Sequence, residues 1–538
     1  MTVLLRQPTD LPAEDAYDAW VAIGDAPASL DAARTLPGLG AAIEAAFDDS
    51  VGEWLDVGRD LSQEPSADLA HTPSCISNLS DFGLMLGWNR LVADWAAAPR
   101  RILVTVADPW MFRHFAAKPG VESGRKPPLR RREIALALRG FAARVKASLT
   151  FARAAVVLRG DRKRYPDGAA ALLVYGHPRS TADGTDGYFG EILRRLESLR
   201  RVLHVDCPPA RARALGRDDR TFSLHAWGSP LAALSLVGAR WRPRPGWKSH
   251  PLKWLVRRAA VREGGTAGGA AIRWQQICHA NWLRAARPAV AAWPWENHTW
   301  ERDFVLRCRD AGVDTVGYQH SVAGRQMVNY SPGANPGGLT SVPDRILCTG
   351  EAYRKQLVAW GQPEDRVRIG GAWRFSDEPA PAWEADAPVF VALPFDGRVA
   401  GEMVAAARTV RSRNFLVKPH PMTPHRFPET DNVRYTDKRM QEQDSLSSVV
   451  YAASTVGLES LIAGLPTGRF RPQSCLAIDI LPQGYETPTV DAETFARFVE
   501  GARPSAPWER SHFFAPVDLP LWQHLLERGA ANAKCAEE

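Results

Sequence analysis

The chain has 538 residues, 45% hydrophobic and 24% charged, with a net charge of +7 and a pI of about 9.1. This is the composition of a globular protein with room for two or three domains. It holds no apolar run of about 18 residues that would span a membrane. Met1–Asp10 turns polar too soon for a signal peptide, so the cytoplasm is the expected compartment. The seven cysteines include no Cys-x-x-Cys pair, which argues against a zinc site or a disulfide framework, and no metal or other cofactor is expected.

Residues 1–165 read as a mostly helical, basic extension. Ala13–Trp20 and Leu84–Ala97 show helical periodicity, Arg101–Ala107 reads as a strand, and Arg132–Ala155 as a basic amphipathic helix. Lys and Arg concentrate between Gly124 and Arg164 and again between Arg240 and Arg262. A solvated basic face explains this, and so does peripheral association with anionic lipid at the inner face of the cell membrane. Nucleic acid is not an expected partner, because no aromatic-plus-basic module accompanies the charge.

From residue 166 strands and helices alternate, which predicts a parallel sheet. Ala170–Tyr175 is a strand ending in Gly176-His177-Pro178, followed by a Gly-rich loop through Tyr188 and a helix over Glu191–Leu199. Further strands are Arg201–Asp206, Ala289–Trp293, Thr315–Tyr318 and Arg345–Thr349. Pro379–Pro388 is rich in Pro, Ala and acid and reads as a linker, dividing a domain over 166–378 from one over 379–538. The second domain begins with the strands Val389–Leu393, Asn414–Lys418, Ser448–Ala453 and Pro466–Phe470.

Ligands of open parallel sheets bind beyond the carboxyl ends of the strands, so polar residues there are the candidates. Phe415–Pro421 (FLVKPHP) leaves Lys418 and His420 at such an end, with Pro419 and Pro421 holding the backbone extended. Val449–Pro466 is a strand that opens through Ser454 and Thr455 into a helix carrying Gly457 and Glu459. Free N–H groups there, with Lys418 and His420 beside them, suit a phosphate without a P-loop. Ser454 and Thr455 also fit plain helix caps, and Glu459 fits a first-turn carboxylate.

In the preceding domain Trp295–Glu301 (WENHTWE) places Glu296 just past a strand, and Gly317–Ser321 (GYQHS) does the same for His320. Either can serve as a base, and Glu296 can also act as a nucleophile or pair with an arginine. Glu301 reads as a structural residue of the helix. Glu351 and Arg374 lie toward the hinge, where Arg374 can meet an anionic donor or form an ion pair. His177 and Tyr188 sit at the first strand end. No G-x-S-x-G and no G-x-x-x-x-G-K-[ST] is present, which sets aside hydrolase and P-loop readings.

The ordered set Lys-Pro-His-Pro (418–421) and Ser-Thr-x-Gly-x-Glu-Ser (454–460) resembles the donor half of GT-B glycosyltransferases, and more narrowly bacterial polysialyltransferases and capsule Kdo transferases. The blocks at Trp295–Glu301 and Gly317–Ser321 resemble a group of surface-carbohydrate biosynthesis proteins. The likeness runs from about Ala170 to Ile480. It implies an α/β protein of two doubly wound Rossmann-like domains facing a cleft, with the helical extension in front. It also implies a CMP-sugar donor carrying an acidic sugar (Kdo or a nonulosonate), and a glycan or lipid-linked glycan as acceptor. By the same likeness His420 contacts the donor phosphate, Glu459 the ribose, and the His177 side receives the acceptor. A CDP-glycerol or other CDP-polyol transferase, a catalytically silent GT-B scaffold and a nucleotide-sugar epimerase are the alternatives.

Overall fold

The computed structural model describes residues 2–375 and 379–535, and beyond Glu527 only the backbone of the last helix. Three parallel sheets organise the chain. The first contains β1 (Val3–Arg6), β2 (Ala19–Ile23), β3 (Ile102–Val106) and β4 (Val121–Ser123), in the order β2-β3-β1-β4.

The middle sheet contains β5 (Ala171–Val174), β6 (Arg200–Leu203), β7 (Thr221–Ser223), β8 (Val290–Pro294), β9 (Asp314–Tyr318), β10 (Arg345–Cys348) and β11 (Val367–Ile369). Its order is β11-β10-β9-β8-β5-β6-β7. The last part of the chain supplies β12 (Ala382–Trp383), β13 (Val389–Ala392), β14 (Phe415–Lys418), β15 (Val433–Tyr435), β16 (Ser445–Leu446), β17 (Ser448–Tyr451), β18 (Thr467–Phe470) and β19 (Thr489–Val490). β12 pairs with β16 alone, and the others form a sheet of order β15-β14-β13-β17-β18-β19.

The middle and last sheets share one plan. From the first strand the chain builds outward to one side, returns to the centre, and builds outward to the other. This is the doubly wound order, in which the reversal opens a crevice between the two central strands. The reversal falls between β5 and β8 in one sheet and between β13 and β17 in the other. Two such domains in tandem are the GT-B architecture.

The central strands are apolar because both faces are covered. On β13, Val389 and Val391 pack with Val399, Met403 and Val404 of the helix Gly397–Thr409. Phe390 and Ala392 point the other way, into the buried cluster that also holds Trp295, Val322 and Ala323 of the middle domain. The two doubly wound domains therefore share a continuous apolar core.

Residues 1–165 are rich in helix as expected, but they are built around the first sheet. Ala13–Trp20, expected to be helical, is a single turn at Glu14–Ala16 followed by the start of β2. Burial explains the switch: Trp20 and Ala22 pack with Leu4 and Leu103 on one face of the sheet, while Val21 packs with Leu39 and Ile43 on the other. Nor is this unit a detached extension. Trp254, Leu255 and Val256, from the crossover between β7 and β8, lie in its core with Trp110 and Phe115. The helix expected over Glu191–Leu199 shortens to Ile192–Arg195, because β6 begins at Arg200. The domain boundary expected at residue 378 lies outside the described residues, and the linker after it contains β12.

The three units meet at a charged junction. Arg325 of the middle domain reaches Asp48 (2.6 Å) and Glu44 (2.7 Å) of the first unit and Asp479 (3.1 Å) of the last. Arg469 on β18 also pairs with Glu44, at 2.7 Å. Gly40 fits beside these groups because a Cβ there would lie 2.2 Å from the Pro472 carbonyl oxygen. Among the described residues no helix is long and apolar enough to cross a membrane.

Candidate active site

The crevice of the middle sheet lies beyond the carboxyl ends of β5 and β8, and polar side chains collect there. After β8 the ladder continues one bond further, Trp295 N–H donating to the Tyr318 carbonyl at 2.8 Å. The chain then turns through Asn297, whose φ of 56° lies in the left-handed region. Asn tolerates that conformation better than most residues. The Asn297 amide is fully buried and donates to the Asn329 carbonyl (2.7 Å) and to Asn335 Oδ1 (2.9 Å).

The turn is closed from the following helix, Thr299–Asp310. Glu301 accepts from the backbone N–H groups of Glu296 (3.0 Å) and Asn297 (2.8 Å). Its role is to hold the Glu296 turn, the structural part expected from the sequence.

Because of that turn, Glu296 and His298 face each other. His298 Nε2 lies 2.7 Å from Glu296 Oε2, and His320 Nε2 lies 3.9 Å from Oε1. The Glu296 side chain remains 29% exposed, against 10% for His298 and 7% for His320, so the carboxylate is the member a substrate can reach.

Burial works to raise the Glu296 pKa, but the hydrogen bond and charge of His298, with His320 and Arg374 further off, bring it down to about 2. Burial works to lower His298, and the Glu296 carboxylate overrides it and raises the pKa. Burial prevails at His320, which falls to about 4. At neutral pH the site therefore holds an ionised Glu296, a His298 inclined to carry its proton, and a neutral His320. Burial and the neighbouring Glu296 charge push Glu301 up to about 7, with the His298 charge opposing.

The β5 side supplies His177 and Tyr188. The Tyr188 ring stands edge-on to both His320 (4.9 Å) and His177 (5.1 Å). His177 has room because residue 187 is glycine: a Cβ there would lie 2.2 Å from its Nδ1. Burial, then Arg374 and two other arginines, lower the His177 pKa to about 4. Arg374, five residues after β11, lays its guanidinium over Tyr188 at 5.4 Å. Among the described residues it makes no hydrogen bond and no ion pair. The ion pair considered for Arg374 is instead made by Glu351, which holds Arg354 through both oxygens at 2.8 and 2.9 Å.

At the corresponding edge of the last domain, Lys418 donates from Nζ to the Asp437 carbonyl. His420 is half-buried, its Nδ1 accepting from Met422 N–H at 3.3 Å and its ring edge-on to Phe395, while Pro421 is exposed. Burial, with His425 nearby, lowers the His420 pKa.

β17 ends in a sharp turn at Ala453, which adopts a φ of 45° that costs a non-glycine residue roughly 1 kcal/mol. The turn presents Ser454 and Thr455, half-buried, before the helix Val456–Ile462. Ser454 Oγ accepts weakly from Val456 N–H at 3.4 Å, and Thr455 makes no side-chain cap. Gly457 is there for packing, since a Cβ would lie 2.4 Å from the Tyr451 ring. Glu459 accepts from the Gln441 amide.

Two contributions escaped sequence reasoning. Asn297 and His298 were grouped with Glu296 from the sequence, but their roles were not: His298 pairs with Glu296 through the left-handed turn at Asn297. The other is the first unit. His71 stands 6.3 Å, ring to ring, from His298, and Thr299 at the head of the Glu301 helix donates to the Ala70 carbonyl at 2.5 Å. Nothing in residues 67–75 marks them as neighbours of the site. Among the described residues no three His, Cys, Asp or Glu side chains are grouped to hold a metal ion.

No protein-family model matches the sequence, and no curated protein is similar to it. Among solved structures, a UDP-GlcNAc 2-epimerase from Neisseria meningitidis bound to UDP-GlcNAc is 11% identical, with 66% of this chain and 99% of that one aligned at a TM-score of 0.36. A lipopolysaccharide outer core galactosyltransferase, WaaB, is 10% identical over 68% of this chain and 99% of that one, at a TM-score of 0.31. Anabaena Alr3699/HepE in complex with UDP is 9% identical over 68% of this chain and 98% of that one, at 0.33. These likenesses are slight, and the sheet topology carries the fold without them.

Proposed function

We propose that the protein is a glycosyltransferase that moves an acidic sugar from a CMP-sugar to a glycan or lipid-linked glycan acceptor. The observation that supports this best is the reachable Glu296 carboxylate, 2.7 Å from His298 at the crevice of the middle sheet, with Arg374 nearby and, among the described residues, without a hydrogen bond or ion pair. Sugar transfer with inversion needs a group that takes the proton of the acceptor hydroxyl as its oxygen attacks the anomeric carbon. Glu296 takes that proton. The new C–O bond forms as the bond to the donor phosphate breaks, and the electron pair leaves with the nucleotide monophosphate.

The remaining roles follow from charge. Arg374 matches the carboxylate of an acidic sugar, because a guanidinium binds a carboxylate through two parallel hydrogen bonds. His320 is neutral and faces the Glu296 carboxylate at 3.9 Å. Lys418, His420 and the N–H groups around Ser454 and Thr455 stabilise the charge that grows on the departing phosphate. Glu459 accepts from the ribose hydroxyls.

Calorimetric titration of the protein with CMP, CDP, UDP and GDP tests the donor assignment, with His420→Ala in parallel. Selective CMP binding, weakened about tenfold or more in the variant, is expected from the loss of a hydrogen bond to a charged group. Preference for CDP would shift the reading to a CDP-polyol donor. Preference for UDP or GDP would remove the acidic-sugar reading, and no binding would favour a silent scaffold.

A further inference from the structure

The helix Leu129–Leu158 carries an apolar stripe that none of the described residues covers. Ile134 is 60% exposed, Leu138 66%, Phe141 54%, Leu149 66% and Val156 50%. At 100° per residue these five stay within an arc of roughly 80°, over a length of about 33 Å. The neighbouring helix Pro230–Leu234 adds Leu231 and Leu234, exposed at 80% and 67%. Isolated exposed apolar residues are ordinary, but a continuous row of this length marks a surface that meets something.

The helix cannot roll to bury the row. Its opposite face is seated on the Gly264 region, where a Cβ on Gly140 would lie 2.0 Å from the Gly264 carbonyl oxygen. Arg144, 4% exposed, fixes the same face by donating to the carbonyls of Gly264 (2.7 Å) and Val237 (2.9 Å).

Charge identifies the occupant. Arg132, Arg139, Lys146 and Arg153 recur every seven residues, all exposed, roughly 100° round the helix from the stripe. The helix has one acidic residue, Glu133, and it is already bound to Trp110 Nε1 and Arg257. An apolar row about 30 Å long flanked by a cationic row is the pattern of a helix lying in the headgroup layer of an anionic bilayer.

The geometry points to this helix as the site at which the protein docks on an anionic lipid surface, the stripe entering the acyl boundary and the four cations meeting the headgroups. Docking is independent of the activity proposed above, and where the acceptor is lipid-linked it holds the enzyme at the acceptor's surface.

Flotation of the full chain with vesicles tests it, comparing pure phosphatidylcholine with phosphatidylcholine containing about 30% phosphatidylglycerol. Binding is expected to the anionic vesicles alone, and to fall at about 0.5 M salt, where screening is short-ranged. The double variant Leu138→Asp/Phe141→Asp should bind at least tenfold more weakly with an unchanged thermal midpoint, since both side chains are already exposed. Lys146→Glu/Arg153→Glu should do likewise while leaving the stripe intact, and it spares Arg139, whose Nε donates to the Gly265 carbonyl at 2.9 Å. Absence of flotation, or equal binding by these variants, would overturn the assignment. So would a wild-type dimer in sedimentation that the Leu138→Asp/Phe141→Asp variant converts to monomer, because the stripe would then belong to a second copy.

Discussion

Glu296→Gln tests the centre of the proposal, because it keeps the side chain's shape and removes its charge. In the wild type the carboxyl pKa is brought from 4.5 to about 2. At 1.36 kcal/mol per unit this corresponds to about 3 kcal/mol of preference for the ionised form. Glutamine retains a hydrogen bond to His298 but none of that preference, and it cannot take a proton. Loss of a general base lowers rates by about 10²–10⁴, or roughly 3–5 kcal/mol of barrier. A carboxylate that only orients a basic His298 can cost as much, so the pH profile separates the two roles.

The assay is initial-rate release of nucleotide monophosphate from the donor identified by titration, with nucleotide affinity and thermal midpoint measured on the same preparation. The expected result is a kcat at least about a hundredfold lower, with CMP affinity within about twofold of wild type. A kcat within tenfold would refute the assignment of Glu296 as base. The pH profile adds a second criterion. With Glu296 at about 2 and His320 at about 4, neither protonates between about pH 6 and 8, so kcat/KM should not fall over that range through these groups. An acid limb abolished by His298→Gln would transfer the base to His298.

Two further substitutions separate binding from stability. Arg374→Gln should raise KM for an acidic-sugar donor by about 10–100-fold, the worth of a charge-assisted contact, while leaving CMP affinity unchanged. Equal KM values would release Arg374 from the sugar. Glu301 is fully buried, and its carboxyl is raised from 4.5 to about 7. A carboxyl raised in the folded chain holds its proton more tightly there than when unfolded. Stability therefore falls as pH rises from about 4.5 to about 7, by at most about 3 kcal/mol. Glu301→Gln, which can still accept from the Glu296 and Asn297 N–H groups, should remove that fall and raise the thermal midpoint at pH 8 relative to wild type. A lower midpoint at pH 8 would mean that the Glu301 charge is used, with His298 as its partner.

The strands of the two doubly wound domains were legible because they are covered on both faces. Val389–Ala392 and Ala171–Val174 are wholly apolar, and such runs stand out before polar turns. The strand-end candidates followed from the same contrast. Glu296 and His320 were placed separately, each just past its own strand, and the sheet brings them together because β8 and β9 are neighbours. Arg374 was harder to interpret. Its contact with Tyr188 joins residues that are far apart in sequence, and periodicity carries no information about which of two hinge residues will find a local ion-pair partner. Glu351 had one three residues away in Arg354, while Arg374 makes no ion pair among the described residues.

The first sheet was the least legible element, and its consequence for the site is the largest. Its strands have three to five residues, and its order interleaves β3 between β2 and β1, so pairing there depends on contacts between distant segments. What that unit does at the site depends on backbone carbonyls, which no residue pattern reveals. Arg302, 2% exposed in the Glu301 helix, donates to the Asn297 carbonyl at 3.0 Å and to the Ser74 carbonyl at 3.3 Å. Thr72 is tied in turn to Glu263 through its hydroxyl, at 2.6 Å. The turn that aims Glu296 thus rests on a guanidinium that also donates to the first unit at Ser74 and to the middle domain's Ala334 carbonyl, at 2.8 Å. A displacement of residues 70–75 would reach the Glu296–His298 pair through Arg302 and Thr299. Residues 70–75 of the first unit therefore help hold the Glu296 turn, and a chain shortened to the two doubly wound domains is expected to lose that geometry along with the helix Leu129–Leu158.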